Sequence, residues 1–356
     1  MAIAWSNRAP PFRDSSQYYR GLNHMNCTVS TVRRQQGLSL IELMVAMAVG
    51  LITVLVVMQV FLGFEGDKRT TSGGADAQTN GGLALYNIRR QIMMSGYGLL
   101  PFSSVPSPFV CNETGTIRGS DLFPVLVTDG GAGSDSITIR YGNSPTGGVP
   151  LKVLQAPVGG TVGVANSMAC VVNDVAFELN ATGACHSRTV TAIPDATHIT
   201  LNAVSADLLA GSAVACVGAW NQFAYAVASD RLQLNGDPVV ADIVNLQAQY
   251  GISNAAASNA VTSWVNATNA WSAANFGTAA RNRIKAVRIA VIARSGLREK
   301  EEVTAPCTNG QEDLCVFGGT LSVTMGANTE WRHYRYRVYQ STVPLRNVIW
   351  NFGSLG

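Results

Sequence analysis

Gly37 and Glu42 are the residues of this 356-residue chain whose types and spacing could do chemistry. They stand at the mouth of a long apolar run, with Arg33 and Arg34 just before them. An ionisable side chain at a membrane-helix position costs about 2.5–3.5 kcal/mol at the helix centre and less near an end, so it is kept where it has a partner. A cut on the apolar side of Gly37 would put a new amino group on Leu38, four residues from Glu42. On a helix that separation is about 6 Å along the axis. The carboxylate is then available to the terminal amine of a neighbouring copy in a helix bundle, a use that an ordinary membrane anchor does not have.

The element that must position this pair is the run itself. Residues 43–62 carry no charge and are interrupted only by Thr53 and Gln59. As a helix, such a run spans about 30 Å, the hydrocarbon thickness of a bilayer. The apolar core of a secretory signal peptide is shorter, about 7–15 residues, and ends in a small-residue cleavage site that is not evident here. The arginines precede the run, so the amino-terminal side is expected to stay in the cytoplasm and the remainder to cross.

A basic leader ending in Gly37, an apolar Leu38 and Glu42 as the fifth residue after the glycine resemble the type IV prepilin motif. The resemblance implies a prepilin peptidase that cuts between Gly37 and Leu38 and methylates Leu38, and an assembly role for Glu42. Gln59 stands where many major pilins of that family carry a kink-forming proline. The expected organisation is a leader over 1–37, with Met25 as the expected translation start, and a transmembrane and bundle helix over 38–62. A Gly-rich stalk and amphipathic helix follow over 63–98, then a β-rich periplasmic head over 99–356.

The leader distorts the bulk charge. Arg8, Arg13, Arg20, Arg33 and Arg34 oppose only Asp14 there, so its loss takes Lys+Arg from 25 to 20, Asp+Glu from 22 to 21 and the net charge from +3 to −1. Nucleic-acid binding by charge therefore gains no support. Cys27 lies in the leader, and Cys111, Cys170, Cys185, Cys216, Cys307 and Cys315 form an even set in a chain expected to face an oxidising compartment. Nearness in sequence suggests Cys307 with Cys315 and Cys170 with Cys185, leaving Cys111 with Cys216, although six cysteines allow 15 pairings. No Cys-x-x-Cys or Cys–His spacing suits zinc, so no metal site is expected.

Glycines 63, 66, 73, 74, 81 and 82 should weaken or locally melt the helix beyond residue 62, at about 1 kcal/mol each relative to alanine. Leu85, Ile88 and Ile92 restore an apolar helical stripe that should pack on the head, and Gly96-Tyr97-Gly98 with Pro101 should stop it. From about residue 105 the chain turns to short β-type runs: 136–141, 197–201, 223–228, 231–234, 287–293, 320–324 and 334–339. Ser229-Asp230 reads as a hairpin turn, 240–247 as either strand or helical turn, and 253–282 as a loop insertion with a short helix. Strands following a helix, rather than alternating with helices, argue α+β: a long amino-terminal helix and a mainly antiparallel head, pilin-like in its resemblance. Arg288, Arg335 and Arg337 are expected on one polar strand face, solvated or in contact with a neighbouring subunit.

Residues 243–251, 286–295 and 335–347 look like the W-type minor pilins, the PilW family. What that implies is a structural minor pilin that joins other minor pilins and the major pilin, primes type IV pilus assembly near the tip, and supports twitching motility and adhesion through a possible tip adhesin. It would reside in the inner membrane with its head in the periplasm, and then in the pilus. The alternatives are a J-type minor pseudopilin of type II secretion and a signal-anchored periplasmic binding protein. His186, His198 and His333 are far apart, and no nucleophile elbow, zinc-protease helix or phosphate loop is present. No enzyme activity and no cofactor are expected. The acidic, glycine-rich loop 129–135 could offer oxygens to calcium but reads better as a turn.

Overall fold

The computed structural model describes residues 37, 39–99, 122–180, 184–275, 278–308, 311–326 and 329–353. It divides into two compact units, Met1–Phe61 and Leu62–Gly356. The first is described through the amino-terminal part of one helix, α1 (Leu40–Met94). There, Leu40, Met44, Met47, Leu51, Val57 and Phe61 are all more than half exposed, and the helix is long and apolar enough to cross a membrane. Thr53, the hydroxyl inside this stretch, donates to the carbonyls of Val49 and Gly50 at 2.8 Å, so it leaves no unsatisfied donor.

In the second unit α1 continues unbroken through the glycines, which corrects the expected melting. The glycines persist in helix because their face is used for packing. Gly73, Ala77, Gly81, Ala84, Ile88 and Ile92 are buried at three- or four-residue spacing, so small side chains let the sheet approach one flank of the helix. The helix ends where expected: Gly96 and Gly98 take φ of 75° and 78°, which glycine reaches without strain. The Asn347 amide donates to the Ser95 carbonyl at 2.9 Å, satisfying an acceptor left by the last turn.

Four β assemblies follow among the described residues. An antiparallel sheet contains β1 (Val125–Thr128), β2 (Ser136–Tyr141), β9 (Asn221–Ala228), β10 (Arg231–Leu234) and β11 (Asp237–Ala241), in the order β1-β2-β9-β10-β11. Its β9–β10 hairpin turns on Ser229 and Asp230, both at positive φ, as a two-residue turn with the strands' own twist requires. A closed barrel holds β3 (Leu151–Val158), β4 (Thr161–Val164), β5 (Val175–Leu179), β6 (Cys185–Asp195), β7 (His198–Leu201) and β8 (Ala213–Gly218). The third sheet runs β13-β12-β14-β17, with β12 at Ile243–Ile252, β13 at Ser263–Val265, β14 at Ile284–Arg294 and β17 at Tyr336–Pro344. A hairpin of β15 (Asp313–Val316) and β16 (Leu321–Thr324) lies over this sheet, and two short helices, α2 (Thr278–Arg281) and α3 (Arg346–Gly353), complete the set.

Side-chain alternation assigns each strand face to a core. On β14, Val287, Ile289, Val291 and Ala293 join Ile88 and Ile92 in the main core, whereas Ala290 and Ile292 face a smaller core with Val316, Val323 and Trp331. Burial on both faces is why 287–293 reads as an almost continuous apolar run. On β8, Val214 and Cys216 point into the barrel while Ala215 and Val217 belong to the main core, so the barrel shares a wall with the rest of the head. Each strand-like run read from the sequence lies in or overlaps a strand, and 240–247 resolves as the end of β11 and the start of β12. The 253–282 segment supplies an edge strand, two single-turn helices and α2.

Candidate functional site

Glu42 lies in the first turn of α1, and the Ser39 carbonyl accepts the Leu43 N–H at 3.1 Å to open the helix. Glu42 is exposed, and among the described residues it makes no hydrogen bond or ion pair. Gly37 is exposed and outside the helix; Leu38, its partner in the expected cleavage, and the leader residues before Gly37 lie outside the described residues. Gln59 continues α1 without a break.

The positions of the head singled out from the sequence each make local contacts. His198 Nδ1 sits 2.8 Å from Asp195 Oδ1 on the exposed β6–β7 turn. The Thr197 backbone N–H, then the His198 ring and the Thr197 hydroxyl, hold the Asp195 carboxyl down at about 2. His186 reaches Asp207 at 3.7 Å beside the barrel, and His333 closes a single helical turn near β17. The three histidines therefore serve three separate neighbourhoods. In the 129–135 loop, Asp135 accepts the Gly130 and Ala248 N–H groups, each at 2.8 Å, which ties the β1–β2 turn to β12. Burial outweighs those two donors and pushes its carboxyl up to about 6. Asp129 accepts the Gly131 N–H at 2.7 Å. These oxygens face backbone donors, the surroundings of a turn.

Cys307 and Cys315 are bonded, as expected, with Asp313 beside them; the sulfurs are spent on each other, so this cluster is not a thiolate metal site. The other expected pairings are corrected. Cys170 is bonded to Cys216, not to Cys185. Cys170 and Cys216 both belong to the barrel core, whereas Cys185 faces the main core from the opposite side of its strand, so nearness in sequence was the wrong guide. Cys185 is itself in a disulfide, and Cys111 lies outside the described residues.

The arginine face is also corrected. In the β14–β17 register Arg337 is opposite Ala293, on the face towards the main core, while Arg288 is opposite Thr342 on the other face. Arg335 pairs with Glu299 at 3.0 Å. Arg288 is held differently. Its Nε donates to Gln249 Oε1 at 2.7 Å, one Nη donates to Thr320 Oγ1 at 3.0 Å, and the guanidinium lies 4.3 Å from the Phe317 ring centre and 4.9 Å from that of Trp264. Gln249, Thr320 and Phe317 were not legible as its neighbours, because β12 and the β15–β16 turn that supply them are brought together only by the fold.

Comparison with known proteins locates two family matches at the two ends of this architecture. Residues 32–58, around Gly37 and Glu42, match the prokaryotic N-terminal methylation motif, and residues 221–347, from β9 to the start of α3, match the type IV pilus-assembly protein W family. No curated protein and no solved structure matches the chain. The barrel lies outside both matches. The chain is thus similar to prepilins over the start of its exposed apolar helix, and to the type IV pilus-assembly protein W family over part of its antiparallel head.

Proposed function

We propose that this protein is a non-catalytic minor pilin, cut by prepilin peptidase between Gly37 and Leu38, methylated at Leu38, and assembled with other minor pilins to prime a type IV pilus. The observation that carries the reading is Glu42: a carboxylate in the first turn of an exposed helix whose next 20 residues carry no charge, in register with Gly37. Packed against like helices in the inner membrane, that carboxylate pairs with the Leu38 amine of a neighbour and sets the axial register of the bundle. The head stands in the periplasm before assembly and near the pilus tip after it, where it serves twitching motility and adhesion, with a tip adhesin as a partner.

The W-family match over 221–347 favours a pilus over a type II secretion pseudopilus, which remains the alternative assembly. Mass spectrometry of the mature amino terminus tests the processing step: a methylated Leu38 is expected, and a chain that keeps residues 1–37 overturns it. A deletion strain tests the assembly. Lost twitching with normal export is expected; lost export with normal twitching assigns the protein to secretion instead.

A further inference from the structure

Arg288 is a chemically unusual group of the head. It is half-buried, and among the described residues no carboxylate lies within ion-pair distance of it. Arg188, Arg294, Arg298, Arg332 and Arg335 all have an acidic partner. Burying a cation without a counter-charge costs free energy unless something compensates it. Gln249 and Thr320 take up three of its N–H donors, and Phe317 and Trp264 flank the guanidinium plane, so the group is fixed in place but not neutralised. Gln249 is itself buried and donates to Asn266, which locks the carbonyl that orients the arginine.

This arginine lines a pocket of about 230 Å³ with Phe317, Gln340, Ser341 and Thr342. Gln340 uses its Oε1 to accept the Phe317 N–H at 2.6 Å, so its amide N–H groups are left to point elsewhere. The site thus offers a planar cation, amide donors, hydroxyls and an aromatic edge. Its volume is below that of pockets built for drug-sized ligands, about 300–1,000 Å³, so it suits one compact group. A planar guanidinium matches a carboxylate, and hydroxyl and amide groups beside it match a ligand that carries hydroxyls as well.

We propose that the Arg288 pocket is a binding site for a small hydroxylated carboxylate, of the sugar-acid class. The carboxylate meets the guanidinium and supplies the missing counter-charge, and the ligand hydroxyls bond to Gln340 and Thr342. The site is independent of the helix chemistry and holds for a pilus or a pseudopilus alike.

Isothermal titration of the full chain in detergent with glucuronate, glucose and acetate tests this. Saturable binding of glucuronate, weaker binding of acetate and none of glucose are expected. Arg288→Gln should weaken glucuronate at least about tenfold, the loss expected for a hydrogen bond to a charged group. Thr342→Val, at an exposed position, should weaken it several-fold without altering the melting curve, which keeps the test decisive if Arg288→Gln fails to fold, and Gln340→Ala should weaken it several-fold as well. Glucose binding as well as glucuronate, acetate matching glucuronate, no saturable glucuronate binding, or an unchanged isotherm in the Thr342 and Gln340 variants would each overturn the proposal.

Discussion

Gly81 of α1 lies directly beneath the ring of Tyr339 on β17: a Cβ at position 81 would stand 2.2 Å from Tyr339 Cε2 and 3.1 Å from the Ala293 Cβ. Ala293 pairs with Arg337, two residues from Tyr339 along β17, so helix and sheet meet here at glycine thickness. Gly74, seven residues earlier, has no atom within 4 Å of the same position. The two glycines therefore respond oppositely to one substitution. Gly74→Ala should raise unfolding stability by up to about 1 kcal/mol through helix propensity. Gly81→Ala should lower it by about 1–3 kcal/mol through overpacking, because Ala293 blocks retreat of the ring on one side. Urea midpoints of the two variants check this, and Tyr339→Ala should remove most of the Gly81→Ala penalty.

The carboxyl of Asp135 predicts a pH dependence of stability. Its pKa rises from 3.8 to about 6 on folding, chiefly through burial. The folded chain therefore holds this proton more tightly than the unfolded chain, so the contribution is full below about pH 3.8 and lost as pH rises through about 6. The displacement corresponds to at most about 3 kcal/mol, since one pKa unit is 1.36 kcal/mol. Urea midpoints of the wild type should fall by that contribution relative to Asp135→Asn between pH 4 and about 6.5, and run parallel above it. A constant difference across the window would show that Asp135 does not titrate there.

Strand alternation made much of the head legible. The alternating 136–141 and 231–234 became β2 and β10, and the β-branched 287–293 became the two-faced β14. The barrel was not legible. Of its strands only β7 stood out in the sequence, as the run 197–201, and its closure joins β3 to β8 across some 60 intervening residues. Local pattern carries no information about that pairing. The same limit hid Arg288: its register partner Thr342 and its donors' acceptors on Gln249 and Thr320 are distant in sequence. The glycines of α1 were misjudged for a different reason. Propensity counts what glycine costs an isolated helix, whereas here a sheet packs against the space it leaves.

The two described disulfides should differ in what their removal costs. Cys170–Cys216 spans 46 residues and pins the loop after β4 to β8, while Cys307–Cys315 spans 8. Loop-closure entropy assigns about 4 kcal/mol to the first and about 2.5 kcal/mol to the second. Cys170→Ser with Cys216→Ser should therefore lower the melting temperature more than Cys307→Ser with Cys315→Ser. The barrel should also lose amide-exchange protection first in the former variant. Equal losses would mean that the barrel is held by its core rather than by its crosslink.

Glu42 gives the sharpest test of assembly, because its proposed work happens only between chains. Within one chain it makes no hydrogen bond or ion pair among the described residues, and it stands exposed in the first helical turn. Glu42→Ala should therefore leave the fold of the head and cleavage after Gly37 largely unchanged, yet reduce incorporation into filaments and twitching. Glu42→Asp keeps the charge but shortens its reach and should fall between the two. Gly37→Ala separates processing from assembly: it should leave a longer, membrane-bound species on a blot. If Glu42→Ala makes as many pili as the wild type while Gly37→Ala still blocks processing, the glutamate is not the register element. The apolar flank of α1 around Val54, Val57 and Phe61 would then have to set it by shape alone.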